Sequence, residues 1–167
     1  MKIYKSDQKI DIQFKLNGKE VKGKTYPRTL LSDFIRHSLG ETGTHIGCEH
    51  GICGACTILL NNTSIRSCLM FAYQADNNEL ITVEGLSDDK SYDDLRATFK
   101  KHHALQCGFC TSGFLITIAS FLNNNNNNDI TEKEIREMLS GNICRCTGYV
   151  GIIKAVMEVV NNRNYGR

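Results

Sequence analysis

Along residues 9–16 the apolar side chains Ile10, Ile12, Phe14 and Leu16 alternate with polar ones, the two-residue period of a half-buried strand. Asn17-Gly18 follows, then a second short stretch through Val21. That order predicts a hairpin closed by a two-residue turn. Leu30, Leu31, Phe34, Ile35 and Leu39 recur at helical spacing behind Pro27, with Gly40 closing the run. They predict a short helix that crosses the sheet. Residues 57–60, an Asn61-Asn62 turn, residues 64–66 and residues 80–83 supply further strand candidates. The glycosylation patterns that begin at Asn61 and Asn62 read as chance matches on this turn.

From residue 88 the period becomes helical, with Leu95 and Phe99 in one segment and Phe114, Leu115, Ile118, Phe121 and Leu122 in the next. Thr131-x-x-Glu134 has the form of a capping box opening a helix through Leu139, and Ile152, Ile153, Val156, Val159 and Val160 predict a last amphipathic helix. Six asparagines at 123–128 separate two of these helices and predict a polar loop, because their side chains compete for backbone hydrogen bonds. The fold class expected is α+β, with a mixed-sheet domain over residues 1–87 and a helical domain over 88–167.

A chain of 167 residues can bury a core in each of two such domains, and its 41% hydrophobic and 23% charged residues are ordinary for a globular protein. A net charge of +2 leaves no nucleic-acid footprint. The N-terminus lacks the apolar stretch of a secretory signal and no run approaches the roughly 20 apolar residues of a membrane span, so a cytoplasmic protein is expected. In that reducing compartment cysteines stay as thiols or metal thiolates.

Eight cysteines fall into two groups of four: Cys48-x4-Cys53-x2-Cys56-x11-Cys68, and Cys107-x2-Cys110-x33-Cys144-x1-Cys146. The arithmetic predicts two four-thiolate metal sites. The first spacing matches the plant-type arrangement that holds a 2Fe-2S cluster, with three thiolates on one loop and a fourth from further along. Gly47, Gly51 and Gly54 lie among the first three ligands, where backbone N–H groups approach the cluster sulfurs. In the second group one pair precedes a helix and the other lies between two helices. Antiparallel packing would bring the pairs together at one end of a bundle, largely shielded from water.

Zinc also takes Cys-x2-Cys pairs, and secreted chains use cysteines for disulfides, but zinc ribbons usually pair one Cys-x2-Cys with another and no secretory signal accompanies this chain. His45 and His50 flank Cys48, so Rieske-like histidine ligation enters the comparison, yet a full cysteine set makes it unnecessary. His37, His102 and His103 are expected on the surface or in packing. No Gly-x-Gly-x-x-Gly, Walker loop, His-Glu-x-x-His or Gly-x-Ser-x-Gly is present. Two redox clusters without a substrate motif describe a wire inside a larger assembly, with no catalytic residue of its own.

Three stretches carry a family resemblance: residues 47–56 (GCEHGICGAC), residues 106–110 (QCGFC) and residues 141–149 (GNICRCTGY). Across about residues 9–160 the chain resembles the small iron–sulfur subunit of molybdenum hydroxylases, the xanthine oxidase family, which includes the small chain of aerobic carbon monoxide dehydrogenase. The resemblance implies an N-terminal ferredoxin-like domain of the beta-grasp type and an all-alpha four-helix domain, each with one 2Fe-2S cluster. It implies a large partner subunit with molybdopterin and a medium one with FAD, in a heterotrimer or a dimer of heterotrimers. Electrons would pass from molybdopterin through the cluster of Cys107, Cys110, Cys144 and Cys146, then that of Cys48, Cys53, Cys56 and Cys68, to FAD. Gln106 matches the family glutamine that hydrogen-bonds the pterin, its alternative being a helix cap or backbone contact. Cys146 is implied as the ligand near the pterin. Arg145 would pair with cluster charge or with a partner. The family usually has proline where Ser112 stands, and a small local change in the first helical turn is expected. The runner-up is a freely diffusing two-cluster carrier, which would dock through a small charged interface. The substrate and the terminal electron acceptor are not encoded in these stretches.

Overall fold

The computed structural model describes residues 4–125 and 130–165. Strand β1 (Ile10–Leu16) turns at Asn17-Gly18 into β2 (Lys19–Thr25), with Leu16 paired to Lys19. Asn17 (φ 52°) and Gly18 (φ 78°) both take the left-handed backbone that a type I′ turn requires. Asn61 (φ 47°) and Asn62 (φ 65°) close the second hairpin in the same way, between β3 (Thr57–Leu60) and β4 (Thr63–Arg66). Strand β5 (Glu79–Ile81) completes a five-stranded sheet of order β2-β1-β5-β3-β4, parallel only between β1 and β5.

The inward face of β1 presents Ile12, Phe14 and Leu16, which pack with Ile58 and Leu80 against Leu31, Phe34 and Ile35 of the crossing helix. That helix, α1, begins at Leu31–Asp33 and widens into a π-type stretch, Phe34–Ser38, where Leu39 N donates to Phe34 O at 3.1 Å. The predicted helix is therefore present but loosely wound at its end. Arg36 Nη1 on this widened turn reaches the carbonyls of Thr42 (2.6 Å) and Thr44 (2.7 Å), tying down the start of the first cysteine loop.

The strand expected at residues 80–83 is shorter than its apolar pattern. Asn17 Oδ1 accepts the Thr82 N–H at 2.9 Å, drawing the chain out of the sheet, and helix α2 (Val83–Asp88) starts there. Leu86 on α2 joins the second apolar core. Helices α3 (Asp93–Lys101), α4 (Thr111–Asn124), α5 (Glu132–Leu139) and α6 (Val150–Tyr165) build that core around Leu95, Phe99, Phe114, Ile118, Ile135 and Val156. The expected capping box opens α5: Thr131 N donates to Glu134 Oε2 at 2.7 Å and Glu134 N to Thr131 Oγ1 at 3.3 Å. Asn123 and Asn124 complete α4 and Asn125 follows it, while residues 126–128 of the asparagine run lie outside the described residues. Among the described residues no helix is long and apolar enough to cross a membrane.

Candidate metal centres

The first three cysteines lie on the loop from α1 to β3. Glu49 (φ 56°), Gly51 (φ 82°) and Gly54 (φ 75°) all turn left-handed there, folding the loop so that its amides face inward. Cys53 N donates to Cys48 Sγ at 3.4 Å. This amide chiefly, against the effect of burial and with help from the His50 and Ile52 amides, lowers the Cys48 thiol to about 6. Cys53 touches the Cys48 side chain and is raised, mainly by burial. The fourth residue, Cys68, lies in a 3-10 turn (Ser67–Leu69) after β4. Ser67 donates both its amide (3.2 Å) and its hydroxyl (2.8 Å) to Cys56 O, which brings Cys68 against Cys56. Burial first and the Cys56 thiol second push Cys68 up to about 12. The four therefore pair as Cys48 with Cys53 and Cys56 with Cys68, the second pair buried.

In the second site Cys110 forms the N-cap of α4, Cys107 precedes it by one turn, and Cys144 and Cys146 lie between α5 and α6. Cys146 Sγ lies 3.5 Å from Cys107 Sγ. Cys110 contacts Cys144, and burial first and that neighbour second raise its thiol to about 12. Burial opposes ionisation of Cys144 too, but the Thr147 hydroxyl and amide, 3.1 and 3.4 Å from its sulfur, bring it below the ordinary thiol value. In both quartets the thiols meet in pairs: Cys48 with Cys53, Cys56 with Cys68, Cys107 with Cys146 and Cys110 with Cys144. Two cysteine pairs per site, with an amide on the Cys48 sulfur in one and on the Cys144 sulfur in the other, fit a two-iron cluster, in which each iron takes two cysteines.

The second site is less enclosed than its helical setting predicts. Cys144 is buried and Cys110 half-buried, but Cys107 and Cys146 are exposed. The reason is that their wall is made of the short segments 105–109 and 143–146 rather than of helix. A cavity of about 210 Å³ lies against it, lined by Cys53 of the first site together with Cys107, Phe109, Cys110, Ile143 and Cys146. Apolar side chains rim both sites: Ile52 and Leu69, each 61% exposed, at the first, and Phe109 and Ile143 at the second.

Gln106 and Arg145 are exposed beside Cys107 and Cys146. The partners of His45 are Phe109 and Ser112. Its ring stacks on Phe109 (centroids 4.8 Å apart) and its Nδ1 pairs with Phe109 O at 2.8 Å, with Ser112 Oγ at 3.4 Å. His50 Nδ1 pairs with Cys48 O, His102 Nε2 with Glu158 at 2.7 Å, and His37 and His103 are exposed. Sequence reasoning missed four supporting residues. Thr147 serves Cys144, Tyr149 OH accepts the Cys144 amide at 3.0 Å, Asn142 Nδ2 donates to Gly54 O at 3.1 Å, and Arg66 donates to Thr57 Oγ1 and Gly141 O. Asn142, Thr147 and Tyr149 fall within the motif at residues 141–149, which marks their place but not the bonds they make.

Residues 14–86 match the 2Fe-2S iron-sulfur cluster binding domain and residues 82–157 the 2Fe-2S binding domain, with one cysteine quartet in each. The gamma subunit of caffeine dehydrogenase from Pseudomonas sp. (strain CBB1) is 49% identical over 89% of this chain and 89% of its own length. The chain belongs to the small iron–sulfur subunits of the xanthine oxidase family of molybdenum hydroxylases. The beta subunit of the 6-hydroxypseudooxynicotine dehydrogenase complex of Paenarthrobacter nicotinovorans is 46% identical over 87% of this chain and 94% of its own. Quinoline 2-oxidoreductase from Pseudomonas putida 86 contains a chain that superposes with a TM-score of 0.87 at 45% identity, covering 96% of this subunit and 98% of that chain. This small subunit thus combines a ferredoxin-like 2Fe-2S domain with a helical one.

Proposed function

We propose that this chain is the electron-relay subunit of a multisubunit molybdenum hydroxylase, carrying electrons from a molybdopterin site on a large subunit to FAD on a medium one. The observation that carries this reading is the pairing of both cysteine quartets within segments that match 2Fe-2S binding domains. Cys48, Cys53, Cys56 and Cys68 hold the N-terminal cluster, and Cys107, Cys110, Cys144 and Cys146 the C-terminal one. A 2Fe-2S cluster supplies one-electron chemistry when bound. The protein supplies thiolates, amide dipoles and a fixed spacing. The sheet with its crossing helix is of the beta-grasp type and the second domain a four-helix unit, divided at residues 1–87 and 88–167; two apolar cores support two units, the second core also taking in Leu59 and Leu86 of the first half.

Cys107 and Cys146 form the outward side of the C-terminal site, which suits the cluster nearer molybdopterin. Gln106, exposed next to Cys107, is placed in this reading to hydrogen-bond the pterin, and Cys146 is the ligand beside it. Substrate chemistry and substrate choice lie with the molybdenum subunit. The complex is a heterotrimer or a dimer of heterotrimers and works in the cytoplasm. The apolar rims of Ile52, Leu69, Phe109 and Ile143 are surfaces that partners cover, which disfavours a freely diffusing carrier.

Iron, acid-labile sulfide and zinc analysis of anaerobically prepared chain, with electron paramagnetic resonance after dithionite reduction, tests the reading. Four irons, four sulfides and two distinct 2Fe-2S signals are expected. Two zincs without sulfide would overturn it.

A further inference from the structure

The Thr147 side chain has a constrained hydroxyl. Its oxygen accepts the Tyr149 amide at 3.2 Å, and it lies 3.1 Å from Cys144 Sγ, so the proton it carries is left for the sulfur. The Thr147 amide lies 3.4 Å from the same sulfur. Tyr149 locks the arrangement from behind: its hydroxyl accepts the Cys144 amide at 3.0 Å and donates to Asn142 O at 3.2 Å. All of this is done at Cys144, the one buried cysteine of the C-terminal quartet, while Cys107 and Cys146 are exposed.

Reduction of a 2Fe-2S cluster adds one electron and leaves its bonds in place. The added negative charge is shared with the ligating sulfurs, so a hydrogen bond to a sulfur favours the reduced form, and a buried one does so most strongly. We propose that Thr147 is a positioning residue for electron acceptance, whose hydroxyl raises the reduction potential of the C-terminal cluster through Cys144. This rests on Cys144 being a ligand of that cluster. The consequence is local, because no comparable side-chain hydroxyl is bonded to a sulfur of the N-terminal site among the described residues.

The test is a potentiometric titration followed by electron paramagnetic resonance on the complex purified with its partner subunits. Thr147→Val keeps the side-chain shape and removes the hydroxyl. We expect its C-terminal cluster to lose about tenfold in the one-electron reduction equilibrium, a fall of about 59 mV. The N-terminal cluster should stay at the wild-type value, and Thr147→Ser should restore the C-terminal one. An unchanged midpoint, an equal shift of both clusters or a serine variant as low as the valine variant would each overturn the role. If the valine variant lacks the cluster, Thr147→Ala is titrated in its place. Loss of the cluster from valine and alanine variants alike, with serine fully loaded, would assign Thr147 to assembly instead. Cys144→Ala separates the two levels: with no donor atom at this position, a variant that keeps all its iron and both signals refutes the ligand assignment itself.

Discussion

Ile143 donates its backbone N–H to the carbonyl of Cys53 at 2.9 Å, joining the residue before one proposed ligand directly to another proposed ligand across the boundary between the halves. Asn142 reinforces the join through Gly54 O, with Thr117 Oγ1 donating to Asn142 Oδ1 at 3.0 Å, and Arg66 clasps Gly141 O. The two cysteine sites are therefore parts of one rigid seam. One backbone hydrogen bond joins them, and the side chains of Asn142, Thr117 and Arg66 reinforce it.

Gly113 lies where that seam is tightest. A Cβ there would meet Gly54 O at 2.1 Å and Ala55 Cα at 3.1 Å, both backbone atoms that cannot swing away. Gly113→Ala should cost about 1–3 kcal/mol, the usual range for overpacking. Denaturant unfolding measures it. An unchanged midpoint would mean that α4 can shift away from the first loop without loss.

Cys144→Ser and Cys110→Ser should each remove the C-terminal 2Fe-2S signal and leave the N-terminal one. In the assembled complex, substrate should still reduce molybdenum while flavin reduction is abolished. Rapid-mixing spectroscopy separates the two events, and fast flavin reduction in either variant would contradict the electron order.

Gln106→Ala should alter the C-terminal cluster signal and the molybdenum signal while leaving the N-terminal signal as in the wild type. Resonance spectra of the reduced complex report all three. Equal disturbance of both clusters would count against a contact with the pterin.

Arg163 Nε donates to Asp94 Oδ2 at 2.8 Å and Arg163 Nη2 to Asp94 Oδ1 at 2.9 Å, joining α6 to the first turn of α3. The Arg163 hydrogen bonds, against partial burial, hold the Asp94 carboxyl below its usual 3.8. A carboxyl depressed on folding stabilises the fold above its unfolded value and loses that contribution as pH falls through the folded one. With both side chains about a third exposed, Asp94→Asn should cost only about 0.5–1 kcal/mol at neutral pH. The gap from wild type should close as acid protonates Asp94. A gap independent of pH in urea titrations would show that the charge plays no part.

Much of this molecule is written in local patterns. The alternation of Ile12, Phe14 and Leu16, the asparagine turns at 17–18 and 61–62, and the Thr131 capping box each depend on neighbours a few residues away, and each formed where the sequence places it. Strand β5 stopped early because its end depends on Asn17, a residue 65 positions away that bonds Thr82. The widened turn of α1, which carries the Arg36 contacts to Thr42 and Thr44, was likewise not visible in its helical period.

The cysteine quartets were legible as two sets because ligand spacing within a loop is a local property. How each set divides into pairs, and which pair is buried, followed only from the fold: Cys68 meets Cys56 through Ser67, and Cys144, between α5 and α6, meets Cys110 at the start of α4. The Thr147 hydrogen bond needs the left-handed turn at Tyr149 (φ 67°), and the Ile143 to Cys53 bond needs two segments 90 residues apart to close on each other. Spacing along a chain determines which thiols can gather; distances across it decide how they are paired, screened and hydrogen-bonded, because electrostatics and burial depend on neighbours in space.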